Sequence, residues 1–215
     1  MEKGLMSLSI QLTDSISDIT KNINAAIAEE VNNILNKNTN ILINGIKSLI
    51  PNWIRSQPEI ISLLSKDPTS LAGYFGIFND VDSIVNNIIL SVIDSAGIKF
   101  VPYDNKLRGG LELYFQPDNF INLLSLPQGH TVYQGGDLHW LDWLLKRGDT
   151  IIVMNYQYNP QTGLGRSGLG NMIGGGSFRI PPQFSGTKDD NFITRALLGP
   201  TQEQEIAKLF DKILG

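Results

Sequence analysis

The sequence predicts an α+β fold: N-terminal helices followed by a small antiparallel sheet crossed by a helix, with a long Gly-rich loop and C-terminal helices. Three observations predict it. Apolar residues recur at three- and four-residue steps as far as Gly97; beyond it they gather into short runs of strand length; and a glycine-rich stretch precedes two capping patterns near the end. The chain accordingly divides into an N-terminal helical region, 1–97, and an α+β core, 98–215, carrying an extended loop at 159–176 and the C-terminal helices. The 215 residues suffice for one full core with a helical arm, since single domains commonly run to about 100–200 residues.

The first helix is expected from Thr13 to about Leu49. Ile16, Ile19, Ile23, Ile27, Val31, Ile34, Leu35, Ile41, Leu42, Ile46 and Leu49 form its apolar stripe, with Asn, Asp, Lys, Glu and Ser between them. Thr13 is the expected N-cap, and Asn36 to Asn40 the expected interruption. The isoleucines make this a poor autonomous helix, so its stripe needs a partner surface. Pro51 and Pro58 punctuate the next segment, with a short helix at Glu59–Ser65 and a loop near Asp67-Pro68. A third helix runs from about Asp80 to Ser95, capped by Asn79 or Asp80 and stopped by Gly97.

Ile98–Tyr103 and Leu111–Phe115 then read as a β-hairpin around Arg108-Gly109-Gly110. Asp118–Leu124 forms one or two helical turns. Asp137 caps a helix, Leu138–Lys146, ended by Gly148, and a strand comes next at Thr150–Tyr158. Residues 159–176 read as an extended loop, too rich in glycine for a helix and too polar for core. A short strand at Ser177–Ile180 ends against Pro181-Pro182. Thr187 with Asp190, and Thr201 with Gln204, give capping-box patterns for helices ending at Leu198 and Leu214.

Composition narrows the function. Only 18% of residues are charged, against about 25% in ordinary soluble domains. An amide- and hydroxyl-rich surface repels neighbouring subunits less than a highly charged one. A net charge of −4 argues against binding driven by phosphate neutralisation. The chain has no cysteine, which removes disulfides and thiolate metal sites. No apolar run reaches the roughly 18 residues of a membrane span, and the first residues lack a signal-peptide pattern, so the expectation is a soluble, unsecreted protein.

Gly163-Leu164-Gly165-Arg166-Ser167-Gly168 matches the dinucleotide fingerprint, but the residues after it cannot open the helix that would receive a pyrophosphate. His130 and His139, the two histidines, are not spaced for a shared metal with a nearby carboxylate cluster. Ser167 lies in no nucleophile elbow, and Asp189-Asp190 suit capping better than acid–base work. No catalytic residue, cofactor or metal is therefore expected. Trp140 and Trp143, with Leu141, Leu144 and Leu145, make their helix apolar around much of its circumference, which favours burial. Leu164, Arg166, Leu169, Met172, Ile173 and Arg179 are the expected interface residues, the arginines because Arg is enriched at binding hot spots.

The strings Leu138–Leu145, Gly148–Val153, Arg166-Ser167-Gly168 and Ile180–Leu197 resemble tail-completion, or neck, proteins of tailed bacteriophages; the resemblance covers roughly residues 98–198, and its most specific part is 180–197. It implies N-terminal helices, a small antiparallel sheet crossed by a helix and an extended loop, assembled as a ring between head and tail. The implied partners are copies of itself, the portal or connector, and tail proteins, with DNA passing through the ring but no sequence-specific contact to it. The implied location is the virion, after synthesis in the host cytoplasm. The alternatives are a small nucleotide-dependent or hydrolytic enzyme centred on the Gly-rich loop, and a membrane-active protein using helix 13–49. The polar face of that helix is not rich in basic residues, which weakens attraction to anionic lipid.

Overall fold

The computed structural model describes residues 13–77, 80–133, 136–161 and 165–214. The predicted class holds: the chain is 53% helical and 19% strand. Among the described residues the strands are distributed over three separate two-stranded sheets. Two compact units form, and they divide the chain differently from a cut at 97/98. One takes residues from 13–40 and 98–112, the other from 41–97 and 113–214.

Helix α1 runs unbroken over Ile16–Arg55. The expected interruption at Asn36–Asn40 does not occur, because Asn38 Nδ2 and Thr39 Oγ1 donate back to the carbonyls of Ile34 and Leu35 at 2.9 and 2.7 Å instead of competing for the helical N–H groups. Pro51 lies inside the helix rather than beyond its end. Ser15, not Thr13, caps its start: Ser15 Oγ accepts from the Asp18 N–H at 3.1 Å.

Strands β1 (Gly97–Val101) and β2 (Gly110–Tyr114), most of whose residues fall in the first unit, pair as a hairpin. The Asn32 side chain serves as a partner for one backbone unit: Nδ2 donates to Tyr103 O at 3.0 Å, and the Tyr103 N–H donates to Oδ1 at 2.7 Å. Asp104 organises the turn by accepting from the Lys106 and Arg108 N–H groups at 2.8 and 3.0 Å and from the Arg108 guanidinium. The Arg108 backbone and side-chain hydrogen bonds, with that from Lys106, hold the Asp104 carboxyl down at about 2. Ala28 and Leu35 are buried, whereas Ile16, Ile23 and Ile27 stay exposed.

The second unit holds the main core. Helices α2 (Pro58–Leu64), α3 (Leu71–Phe75) and α4 (Val81–Ser95) follow α1. Asp80 caps α4 as expected, its side chain accepting from Ser83 N–H. The stop is different: Ala96 leaves the helix in an extended conformation, and Gly97 begins β1 instead of adopting a left-handed cap. Helix α5 is the single turn Ile121–Leu124. Strands β3 (Thr131–Tyr133) and β4 (Gly136–Leu138) make a second, antiparallel hairpin.

Asp137 therefore belongs to a strand and caps nothing. Helix α6 begins later, at Trp140–Leu145, with His139 at its N-cap position and no side-chain cap. Strands β5 (Ile151–Asn159) and β6 (Asn171–Arg179) form the longest ribbon. Helix α7 spans Phe192–Leu197 and α8 Pro200–Leu214. The capping box of α7 is Asn191 with Thr194, four residues after the Thr187–Asp190 pair, which closes a turn with Asp190 N–H donating to Thr187 Oγ1. Pro200 opens α8, so Thr201 lies inside it.

Ile50, Ile54, Ile60, Leu63, Leu71, Val85, Ile88, Val92, Leu123, Leu141, Leu144, Phe192 and Ile193 fill this core. Trp140 is fully enclosed, stacked on Phe75 at 5.7 Å, and its Nε1 donates to Gln128 O at 3.0 Å. Trp143 is only partly buried, with the Arg147 guanidinium 5.9 Å from its ring centroid. Glu59 is 1% exposed and accepts from Arg195, which also donates to Asp190 at 2.5 Å. Burial opposes the charge on Arg195, but the Asp190 hydrogen bond and the charge of Glu59 outweigh it and raise its pKa.

Candidate functional site

The β5–β6 ribbon corrects the expected loop 159–176. Residues 171–176 are strand, paired antiparallel with β5 from Asn159↔Asn171 to Ile151↔Arg179. The glycines are accommodated by an irregularity in the ladder. Between Met154↔Ser177 and Tyr156↔Gly174 the pairing shifts, and there Asn155, Gly175 and Gly176 all adopt positive φ. Glycine enters that region without steric penalty and Asn tolerates it better than most residues. Residues 171–176 thus belong to the ribbon, while 165–170 lie outside both strands.

At the ribbon's far end, a Cβ at Gly165 would lie 1.8 Å from Gly170 O. The fingerprint glycine serves this close backbone approach. The residues after Gly168 run into β6, so no helix N-terminus lies there to receive a pyrophosphate.

One face of the ribbon is anchored. Tyr158 and Phe178 lie 4.5 and 6.4 Å from the Tyr74 ring of α3, and Tyr158 Oη donates to Pro68 O at 2.7 Å. Burial pushes the Tyr158 phenol up, with smaller contributions from Tyr74 and Asp67. A groove of about 520 Å³ opens beside this anchor, lined in part by Tyr133, Tyr156, Arg166 and Met172. Among the described residues no third strand covers either outer edge of the ribbon. Ile151, Met154, Tyr156 and Met172 are exposed along it, Met154 at 60%.

The expected interface residues scatter. Arg166 and Met172 meet at the groove, and the Arg166 guanidinium donates to Val132 O. Leu169 packs against the core, which removes most of it from any neighbour's reach. Ile173 is half-buried on β6, opposite Gln157. Arg179 sits at the other end of the ribbon, bonded to Asp149 at 3.1 Å. Leu164 lies outside the described residues.

The structure also brings together residues that their spacing in the sequence keeps apart. His130, Asp137 and His139 place a ligand atom each within 4.8 Å of one another. His130 Nδ1 lies 2.8 and 2.9 Å from the two Asp137 oxygens, and His139 Nε2 lies 3.4 Å from Oδ2. The imidazoles stack at 5.2 Å with planes 12° apart. The β3–β4 register is the cause. Thr131 pairs with Leu138, so His130 and His139 flank the next cross-strand position, and Asp137 lies two residues before His139 on the same face. The signal is the hairpin itself, which a helix cap at Asp137 conceals.

Beside the cluster runs a groove of about 340 Å³ lined by Asp142, Trp143 and Arg147. Burial alone would raise the Asp142 pKa, but the hydrogen bonds from Arg147 and Lys146 lower it. Compared with protein-family models, with curated proteins and with solved structures, the chain matches none.

Proposed function

We propose that this chain is a non-enzymatic assembly subunit that forms a ring at the neck of a tailed bacteriophage, joining the portal or connector to the tail. The observation that carries the assembly reading is the β5–β6 ribbon. Each strand has nine residues, both outer edges lack a further strand among the described residues, and Arg179 is the ribbon's one charged residue. Monomeric proteins protect such edges with charge, proline or a covering element. A two-stranded ribbon is also marginal alone. Its exposed Ile151, Met154, Tyr156 and Met172 suit strand addition by a neighbouring copy, in which backbone hydrogen bonds give affinity and side chains give register.

The placement at a phage neck rests on the resemblance of residues 98–198, most specifically 180–197. It makes the partners copies of the chain, the portal or connector, and tail proteins, and the location the virion. Among the described residues no helix is long and apolar enough to cross a membrane.

The absence of cysteine gives a clean test. Met154 pairs with Ser177 and Met172 with Tyr158, several residue pairs apart along the ribbon, so cysteines at these two positions are too far apart for an intrachain disulfide. If β5 of one subunit meets β6 of the next, a flexible bifunctional thiol cross-linker, which can reach round the strand edge, turns the double variant Met154→Cys/Met172→Cys into a ladder of multimers on a denaturing gel. A double variant that stays monomeric after cross-linking counts against the ribbon as the contact.

A further inference from the structure

We propose that His130, Asp137 and His139 bind a divalent transition-metal ion of the zinc class, as a clasp on the β3–β4 hairpin. The inference stands independently of the assembly reading. Two imidazole nitrogens and a carboxylate oxygen form a donor set suited to zinc, cobalt, nickel or copper, and unsuited to calcium or magnesium, which favour oxygen ligands.

Two of the three ligand separations need little change, and the third, between the two ring nitrogens, lies within 4.8 Å. Zinc bond lengths near 2.0–2.2 Å put neighbouring ligands of a tetrahedral site about 3.3 Å apart. His139 Nε2 and Asp137 Oδ2 are already 3.4 Å apart. His130 Nδ1 is 2.9 Å from the same oxygen, so it must open by roughly half an ångström as a hydrogen bond is replaced by two metal bonds. Asp137 Oδ2 thus faces both ring nitrogens, and the ion sits against all three.

The ligands are preorganised by backbone pairing and not by a flexible loop. His130 and His139 are brought opposite each other by the Thr131↔Leu138 register, and helix α6, whose N-cap is His139, begins at once. Three protein ligands leave a fourth position open. His139 is exposed at its ring, and the groove bounded by Asp142, Trp143 and Arg147 adjoins it, so in the isolated chain this position takes water. The structural consequence is local: each strand has three residues, too few for a hairpin to be firm by itself, and a bound ion ties its two ends together.

The test uses the full-length chain without a histidine tag, treated with chelator and then titrated with zinc by calorimetry or with cobalt by visible absorption. With two histidines and no cysteine in the sequence, nitrogen ligation can come only from this cluster among side chains. We expect one equivalent to bind at micromolar concentration or tighter, the ring signals of both histidines to shift together, and amide exchange of residues 131–133 and 136–138 to slow. His139→Ala and Asp137→Asn should each weaken binding by about tenfold or more. His139 is the most exposed of the three, so its variant keeps the fold if Asp137→Asn does not. No saturable binding up to about 100 times micromolar, a range far weaker than structural zinc sites, overturns the proposal. So does unchanged affinity in His139→Ala, which leaves a hydrogen-bonded triad only.

Discussion

Replacing the buried amide of Asn191 by a carboxyl should destabilise the second unit. Asn191 is fully buried and satisfies both ends of its side chain. Oδ1 accepts from the Ile193 and Thr194 N–H groups at 3.0 and 3.1 Å, and Nδ2 donates to the carbonyls of Thr187, Lys188 and Leu145 at 2.8, 3.3 and 3.3 Å. It thereby caps α7 and ties it to the end of α6. Asn191→Asp keeps the shape and the cap but turns three attractive N–H···O contacts into oxygen–oxygen contacts. The cap gains about 0.3–1 kcal/mol from the new charge at the helix start, against about 1–3 kcal/mol for each buried group left without its partner.

Nδ2 carries two protons, so two such losses count; set against the gain at the cap they give a net destabilisation of about 3 kcal/mol. At this chain length that lowers the melting temperature by roughly 6–12 °C. The sign of the pH dependence comes from the same contacts. Burial and the carbonyls raise the new carboxyl's pKa in the folded state above its unfolded value of about 3.9. Both states are protonated well below that value, so the penalty is smallest there and grows as pH rises from about 4 through the folded-state pKa. Paired thermal melts of wild type and variant at pH 3.5 and pH 7 measure this. A variant as stable as wild type at pH 7, or a gap that narrows as pH rises, refutes the donor network.

Trp140→Ala should cost about 3–5 kcal/mol through the cavity beside Phe75 and the orphaned Gln128 carbonyl, whereas Trp143→Ala, half-open and stacked by Arg147, should cost less than half of that; denaturant midpoints decide the order. Asp104 should stay ionised down to about 2. Its depressed pKa stabilises the β1–β2 turn at every pH above the unfolded value of about 4 and is lost as pH falls toward 2; a carboxyl titration by NMR with a midpoint near 4 would contradict the hydrogen-bonded turn, and Asp104→Asn should flatten the acid limb of that hairpin's stability.

The legible parts of the fold are those in which local pattern and tertiary demand agree. Helix α4 is readable because the Asp80 cap and the Ile84, Val85, Ile88, Ile89, Val92 stripe point the same way, and all five are buried. Strand β5 is readable from its β-branched and aromatic run. Elsewhere a local signal is overruled. Asn38 and Thr39 resemble breakers, yet their side chains bond back along α1. Gly174–Gly176 have no strand propensity of their own; Gly174 pairs with Tyr156, and Gly175 and Gly176 occupy the register shift beside it. Helix α3 is hidden because five residues show too little periodicity; its local marks are Ser70, whose hydroxyl accepts from Gly73 N–H, and the left-handed Gly76 at its end.

The candidate sites are less legible than the fold. The groove residues Arg166 and Met172 lie in the stretch that sequence singles out, but Tyr133 comes from a hairpin that sequence does not resolve. Leu169, apolar and near glycine, turns into the core, since apolarity alone does not distinguish a residue for a neighbour from one for the interior. His130, Asp137 and His139 become neighbours only through an antiparallel register, and a linear reading of spacing as helical does not bring them together.

Sedimentation velocity with negative-stain electron microscopy on the untagged chain, over a micromolar concentration series, tests the assembly function most directly. Closed rings of uniform size are expected, dispersed to monomers by the edge charges Met154→Lys and Met172→Lys while far-ultraviolet circular dichroism stays unchanged. A single monomeric species at every concentration, with the same sedimentation in wild type and in both lysine variants, contradicts it.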